Sequence, residues 1–278
     1  YMKFKNKKIL ITGAASGIGK SLAEEFANEG SILILSDINA HKLNSFVKEL
    51  RSNGVVAFGY EVNVSDYKNM IDFSSLVLKE HNFIDVLINN AGTTLMDTIE
   101  GGDIGEFENL MAINFWSVVY GVNVFLPTLI QREEAYIVNI SSILGLMSLP
   151  GQAAYNSSKA AVKAYTEALK MELADSSINV SSVHPGGIKT DIAINARIGR
   201  NISEETKTRL IKQFDKLSYT TSKSASRNII KGIKRKKRRI VIGIDAKIAD
   251  ILIRIFPGSY EKILGLERQF KKYRERSN

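Results

Sequence analysis

The feature that most constrains this chain is a rhythm. Short runs rich in Ile, Val and Leu alternate with longer segments of helical period, the pattern of repeated βαβ units and therefore of a parallel sheet. The runs predict strands at Lys8–Thr12, Ser31–Ser36, Val55–Val62, Asp85–Asn89, Ala135–Ser141, Ile178–His184 and Arg239–Ile242, with helices in the gaps. The best-marked helices are Glu106–Leu126 and Ala154–Ala174, neither of which contains a proline. No repeat or low-complexity linker divides the chain, so residues 1–244 are expected to form one domain. From 190 to 223 the rhythm stops in a polar stretch that follows a strand's carboxyl end, a candidate substrate lid. Residues 245–278 read as a helical C-terminal extension, amphipathic and basic, with Ile248, Ile251, Leu252, Ile255 and Phe256 at helical spacing.

"ITGAASGIGK", Ile11 to Lys20, ends the first predicted strand and opens the first helix. Gly13, Gly17 and Gly19 let the backbone turn tightly and approach a pyrophosphate, whose charge a helix N-terminus stabilises. Asp37 ends the second strand about 20 residues beyond the glycine loop, where a carboxylate can accept both hydroxyls of an adenosine ribose. A strand, a glycine turn, a helix and then an acid in that order point to dinucleotide binding. Asp37 favours NAD over NADP, because the phosphate of NADP would meet that carboxylate. Ile38 and Asn39 supply no cation to receive it, and Lys20 and Lys42 are expected to face solvent.

"YNSSK" places Tyr155 and Lys159 one helical turn apart, on the same face. Such pairs are mostly surface features. Beside a nicotinamide, however, a tyrosine can give or take the proton of an alcohol while the cofactor moves the hydride. A free phenol, with a pKa of about 10, is a weak base near neutrality, and two neighbouring cations, Lys159 and an oxidised nicotinamide, would lower it. Tyr155 is the candidate acid/base and Lys159 its tuner.

Five ordered motifs make the pattern recognisable: "TGAASGIG" at 12–19, "NNAG" at 89–92, "NISS" at 139–142, "YNSSK" at 155–159 and "PGGIKT" at 185–190. Through them the chain resembles the short-chain dehydrogenase/reductase family over about residues 5 to 190. The resemblance implies an α/β fold, a single Rossmann-type domain with a doubly wound, parallel seven-stranded sheet. It also implies an NAD(P)-dependent oxidoreductase acting on CH–OH groups. Adjacent strand residues face opposite ways, so Ser141 and Ser142 cannot both serve. The family's serine lies thirteen positions before its tyrosine, which selects Ser142, a hydroxyl that would orient the substrate oxygen. Asn114, unfavourable inside a helix, becomes by resemblance the fourth catalytic member, holding a water behind Lys159. Lys159 gains a second role, on the nicotinamide ribose.

The same resemblance completes the cofactor site with Ser16, Ile18 and Val64, with Asn89, Asn90, Ala91 and Gly92 along the adenosine and ribose, and with Pro185, Gly186, Ile188 and Thr190 at the nicotinamide. One departure stands out. Asn63 occupies the place of an aspartate that accepts from the adenine amino group, and its amide oxygen would do so without charge assistance. The substrate is expected to be a secondary alcohol or ketone, hydrophobic because Leu144, Leu146, Met147 and Leu149 follow Ser142. Two rival readings are a catalytically silent cofactor-sensing protein and a membrane-surface reductase of a lipid-like substrate. Phe115 and Trp116 on the Asn114 helix suggest core or subunit packing, in a region resembling the family's dimer helix, so a homodimer or homotetramer is expected.

Composition narrows the remaining partners. Without cysteine there are no disulfides or thiolate metal sites, and His41, His81 and His184 show no ligand spacing, so no metal is expected and the histidines read as structural. The net charge of +9 concentrates late, in "KGIKRKKRR" at 231–239 and "RQFKKYRER" at 268–276. No aromatic interleaving accompanies the basic run, so nucleic acid is not an expected partner, and peripheral membrane contact is conceivable without being favoured. No secretory leader is read at the N-terminus and no apolar run approaches the ~18 residues of a membrane span, so a cytoplasmic location is expected.

Overall fold

The computed structural model describes residues 4–190, 196–199 and 218–266, together with Thr208 and Lys212. Seven strands form its main sheet: β1 Lys8–Thr12, β2 Ile32–Asp37, β3 Ala57–Glu61, β4 Val86–Asn89, β5 Ala135–Ile140, β6 Ile178–Pro185 and β7 Arg239–Ile242. All pair in parallel, in the spatial order β7-β6-β5-β4-β1-β2-β3. The order reverses between β1 and β4, and a doubly wound sheet opens its ligand crevice at such a switch point, beyond the strands' carboxyl ends. This is the Rossmann-type architecture expected from the sequence. Every predicted strand is present, with ends shifted by two residues or fewer.

Helices α1 Gly17–Asn28, α2 Ala40–Ser52 and α7 Ser222–Lys234 cover one face of the sheet, and α3 Tyr67–His81, α5 Ser117–Leu129 and α6 Ala153–Glu172 cover the other. The central strands are buried on both faces, which explains their unbroken apolar runs: Ile9 and Ile11 join the first layer while Leu10 joins the second.

The predicted helix Glu106–Leu126 is two α-helices, α4 Ile104–Met111 and α5, joined by a π-helical turn at Ala112–Trp116. α5 also runs on past Pro127, which the expected boundary had left outside. Together, Ile104–Leu129 is long and apolar enough to cross a membrane by length and composition, an 18-residue window within it having a mean hydropathy of 1.5. Here that apolarity serves the fold, because α5 packs on β4 and against α3.

Two short parallel pairs lie above the sheet: Leu95–Met96 with Arg197–Ile198, and Ile188–Lys189 with Thr220–Thr221. The second pair joins the two ends of the candidate lid and the first holds Arg197–Ile198 within it, while its positions 191–195, 200–207, 209–211 and 213–217 lie outside the described residues, as do 267–278 of the tail. The seam expected at residue 244 falls inside packed structure. Helix α8, Ile244–Ile255, buries Ala246 completely and carries Asp245, whose carboxylate accepts a hydrogen bond from the Gly187 backbone N–H at 2.7 Å. A last helical turn, α9 Tyr260–Ile263, places the Tyr260 hydroxyl 3.1 Å from the donating N–H of Ser148, in the loop that follows Ser142.

Candidate active site

The glycine loop is built by close approach. Gly13 has φ +65°, and a Cβ there would lie 2.8 Å from the Ala91 Cα; a Cβ on Gly19 would lie 2.2 Å from the Gly13 carbonyl oxygen. Asn90 holds the turn, donating from Nδ2 to the carbonyls of Thr12 at 2.9 Å and Gly13 at 3.1 Å. The Thr12 hydroxyl accepts from the Asn90 and Ala91 N–H groups in return. Thus "TGAASGIG" and "NNAG" interlock across neighbouring strands. Asn89 points elsewhere, donating to Asn139 at 2.8 Å in the buried layer against Gly121.

This cradle fits a dinucleotide. Ser16 caps α1 without a side-chain hydrogen bond, and no acidic residue occupies the first turn, so the helix presents its N-terminal dipole and N–H groups to an anion. Gly17 and Ile18 open that helix, and Thr190 stands across from Gly17, with its Cγ2 3.5 Å from where a Cβ would be. Asp37 stitches the loop to β2, accepting from Ala15 N–H and Asn39 N–H, each at 2.9 Å. Asn39, not Asp37, caps α2 by accepting from Lys42 N–H. Lys20 is drawn away toward Glu49 and the face of Phe46.

Asn63 is already engaged. Its amide oxygen accepts from both the backbone N–H and the hydroxyl of Ser65, at 3.2 and 2.7 Å, so an adenine amino group would compete with Ser65 for that oxygen. Val64 beside it is buried. At the opposite end, Pro185 closes β6 and Ile188 is buried in the short pair with Thr220. Gly186 leaves no room for a side chain, because a Cβ would collide with the Asp245 carboxylate.

The four candidate catalytic residues converge from three elements. Tyr155 and Lys159 lie on α6, Ser142 at the carboxyl end of β5, and Asn114 in the π-helical turn. The Ser142 hydroxyl oxygen accepts from Leu144 N–H at 3.1 Å, and the same hydroxyl lies near enough to the Tyr155 phenol to draw its pKa down. Burial pushes the Tyr155 pKa up from its ordinary value, and the Ser142 hydroxyl opposes that push. The sequence had suggested a downward pull from Lys159. Lys159 itself is buried, its Nζ donates to the Ile140 carbonyl at 3.0 Å and stands 5.8 Å from the Tyr155 ring centroid, and burial pushes its pKa down to about 8.

Asn114 is completely buried, its amide doubly bonded to the backbone of Thr93 and donating to the Ser158 hydroxyl at 3.1 Å. A Cβ on Gly92 would lie 3.2 Å from Asn114 Oδ1 and 3.3 Å from Lys159 Nζ, so both groups flank one point of the backbone. The π turn thereby brings an amide to the site that a regular helix would direct differently, a common use of such turns.

Several supporting residues escaped the sequence reading. Ser141 donates to the Lys159 carbonyl at 2.7 Å, tying β5 to α6. Ser158 donates to the Tyr155 carbonyl while accepting from Asn114. His184 reaches the Ser142 carbonyl from β6. Only the position of His184 just before "PGGIKT" hinted at this. Beside the site, a mainly apolar pocket is lined by Leu95, Ile99, Ile104, Phe107 and Ala154, with Asp97 and Asp103 also in its wall. Phe107 and Ala154 pack in one cluster with Tyr155.

A Rossmann sheet with a glycine cradle at its switch point and a Ser-Tyr-Lys group beside it, its serine and lysine buried and its tyrosine partly so, defines a nucleotide-dependent oxidoreductase. Residues 7–201 match the family model described as short chain dehydrogenase, and the chain belongs to the short-chain dehydrogenase/reductase family. Among its relatives, SadH of Mycobacterium tuberculosis is 33% identical over 264 residues, covering 94% of this chain and 95% of the relative. Cyclopentanol dehydrogenase of Comamonas testosteroni is 35% identical over 185 residues, 66% of this chain and 74% of the relative. A short-chain dehydrogenase/reductase from Burkholderia phymatum, solved in complex with NAD, has a TM-score of 0.84 at 24% identity, covering 92% of this chain and 95% of that one. An alcohol dehydrogenase from Thermococcus sibiricus, complexed with 5-hydroxy-NADP, has a TM-score of 0.73 at 22% identity, covering 86% and 96%. At those identities the solved structures speak for the fold alone.

Proposed function

We propose that the protein interconverts an apolar secondary alcohol and its ketone with NAD(H) as cofactor. The observation that carries this reading is the convergence of the Tyr155 phenol with the Ser142 hydroxyl and the buried Lys159 ammonium one turn further along α6. When bound, the cofactor accepts a hydride from the alcohol carbon or returns it to the ketone.

The chain supplies the rest. Ser142 orients the substrate oxygen, and Tyr155 takes the hydroxyl proton in oxidation or gives it in reduction. The Ser142 hydroxyl opposes the upward push of burial on Tyr155, and Lys159 holds a positive charge one turn away on α6. A bound oxidised nicotinamide would bring a second cation near the phenol. Asn114 braces Ser158, which braces the Tyr155 backbone in turn. Asp37 at the end of β2, with Lys20 drawn aside, supports NAD over NADP. The cyclopentanol dehydrogenase relative and the pocket beside Tyr155 support an apolar alcohol.

Half-exposed Trp116, stacked on Tyr120 at 5.8 Å, supports self-association through the α4–α5 face. The cytoplasm, where NAD(H) is available, is the proposed site of action. The reading is tested by following NADH absorbance over a panel of cyclic and aliphatic secondary alcohols and their ketones, with Tyr155→Phe as control. Turnover of apolar members by the wild type and a loss of ~100 to 10,000-fold in the variant are expected. Equal rates in the two folded proteins would reject Tyr155 as the acid/base.

A further inference from the structure

Helix α8 carries two apolar faces and only one of them is covered. Ala246 is buried against the body of the protein, and Ala249 and Ile253 lie on the same side, half-buried. Opposite them, Ile244, Ile248, Ile251 and Ile255 are 68%, 58%, 58% and 62% exposed. At 3.6 residues per turn these four fall within an arc of about 60°, a continuous stripe along the helix. Phe256 and Ile263, also exposed, extend the apolar surface past the helix end.

The rim of the stripe is cationic. Lys247 and Arg254 are exposed on α8 beside the isoleucines, and Lys262 is exposed on α9. The basic run preceding β7 joins them, because Arg239 and Arg254 both pair with Asp250 and so hold the start of β7 against the second half of α8. Within that run Lys234 pairs with Glu29 and Lys236 with Glu134, whereas Arg235, Lys237 and Arg238 form no ion pair among the described residues. Isoleucines rimmed by a surplus of lysines and arginines, of which Lys247, Lys262, Arg235, Lys237 and Arg238 form no ion pair among the described residues, are what an anionic bilayer surface binds: the apolar chains enter the headgroup boundary and the cations meet lipid phosphate and carboxylate. A second copy of the chain docking by the same face would bring like charges together across the two-fold axis.

We propose that α8 docks the protein on an anionic membrane surface, with the isoleucine stripe inserted and the Arg235–Arg238 run lying along the headgroups. α9 touches the Ser142 loop through Tyr260 and Ser148, so docking sets the substrate side of the site at the lipid boundary. The docking itself does not rest on the proposed reaction.

The full chain is floated with vesicles of phosphatidylcholine alone and of phosphatidylcholine with about a third phosphatidylserine, at low and high salt. Wild type should float with the anionic vesicles and lose most of that retention in high salt. Ile248→Glu/Ile251→Glu, at exposed positions, should reduce retention tenfold or more, with circular dichroism and melting temperature unchanged. Retention equal in wild type and variant overturns the proposal, as does wild type that stays soluble with anionic vesicles. A variant that changes only the oligomeric mass assigns the stripe to a second copy and overturns it too.

Discussion

The His184 ring spans from β6 to the catalytic serine: Nδ1 lies 3.1 Å from the Ser142 carbonyl oxygen and Nε2 lies 2.9 Å from the Ser182 hydroxyl. A carbonyl only accepts, so Nδ1 carries the proton and Nε2 accepts from Ser182. For the neutral ring this sets the tautomer under Ser142. Burial pushes the His184 pKa down to about 4. The unfolded chain takes up a proton near pH 6.5 that the native ring refuses until about pH 4, so stability is lost as pH falls through that window, by about 3 kcal/mol in all. Replacing His184 by Gln, which can still donate to Ser142, should flatten that dependence in urea melts and keep most of kcat. His184→Leu leaves the carbonyl unpaired and should lower kcat about tenfold with NAD affinity unchanged. Equal kcat in the Leu variant would remove His184 from the positioning of Ser142.

Lys159 sets function against stability. Its folded pKa of about 8 lies below the unfolded 10.5, so the buried ammonium costs stability at every pH below about 8, and that cost fades as pH rises toward 10.5. Lys159→Met keeps the packed stem and loses the hydrogen bond to Ile140. The variant should be about 2 kcal/mol more stable than wild type at pH 7, show no alkaline gain and be nearly inactive. A melting temperature below wild type would contradict this.

Cofactor choice is tested at Asp37. Wild type is expected to favour NAD over NADP by about 100-fold in kcat/KM, from charge repulsion of a few kcal/mol. Asp37 also holds Ala15 N–H, so Asp37→Ala should weaken both cofactors, and the informative quantity is their ratio. A ratio unmoved by the substitution would show that the carboxylate serves the loop alone.

The hydrogen bond from Gly187 N–H to Asp245 ties the C-terminal helix to the "PGGIKT" turn. Asp245→Asn can still accept this bond and should resemble wild type. Asp245→Ala should raise the KM for NAD about tenfold, the equivalent of ~1.4 kcal/mol, with a smaller change in kcat. Unchanged KM in the Ala variant would separate the extension from the site.

Local chemistry made much of this legible from sequence. Parallel strands buried on both faces must be apolar throughout, so Ile9–Ile11 and Leu33–Leu35 declare themselves. A phosphate cradle needs glycine wherever another backbone passes within 3 Å, so Gly13 and Gly19 stand out in any reading. The i, i+4 spacing of Tyr155 and Lys159 on a helix likewise puts them on one face without further information.

Tertiary structure decided what depends on partners distant in sequence. A π turn adds one residue to a helix with no local signature, so Asn114's aim at Thr93 and Ser158 could not be read from "MAINFW". The engagement of Asn63 by Ser65, the reach of His184 to Ser142 and the grip of Asp245 on Gly187 all follow from where the backbone brings their partners. The direction of the Tyr155 shift was settled in the same way. Sequence placed a cation one turn away, but only packing determines how much water both groups lose, and for a buried phenol that loss dominates. Residue identities determined which chemistry was available; the fold decided which groups meet and how dry they are.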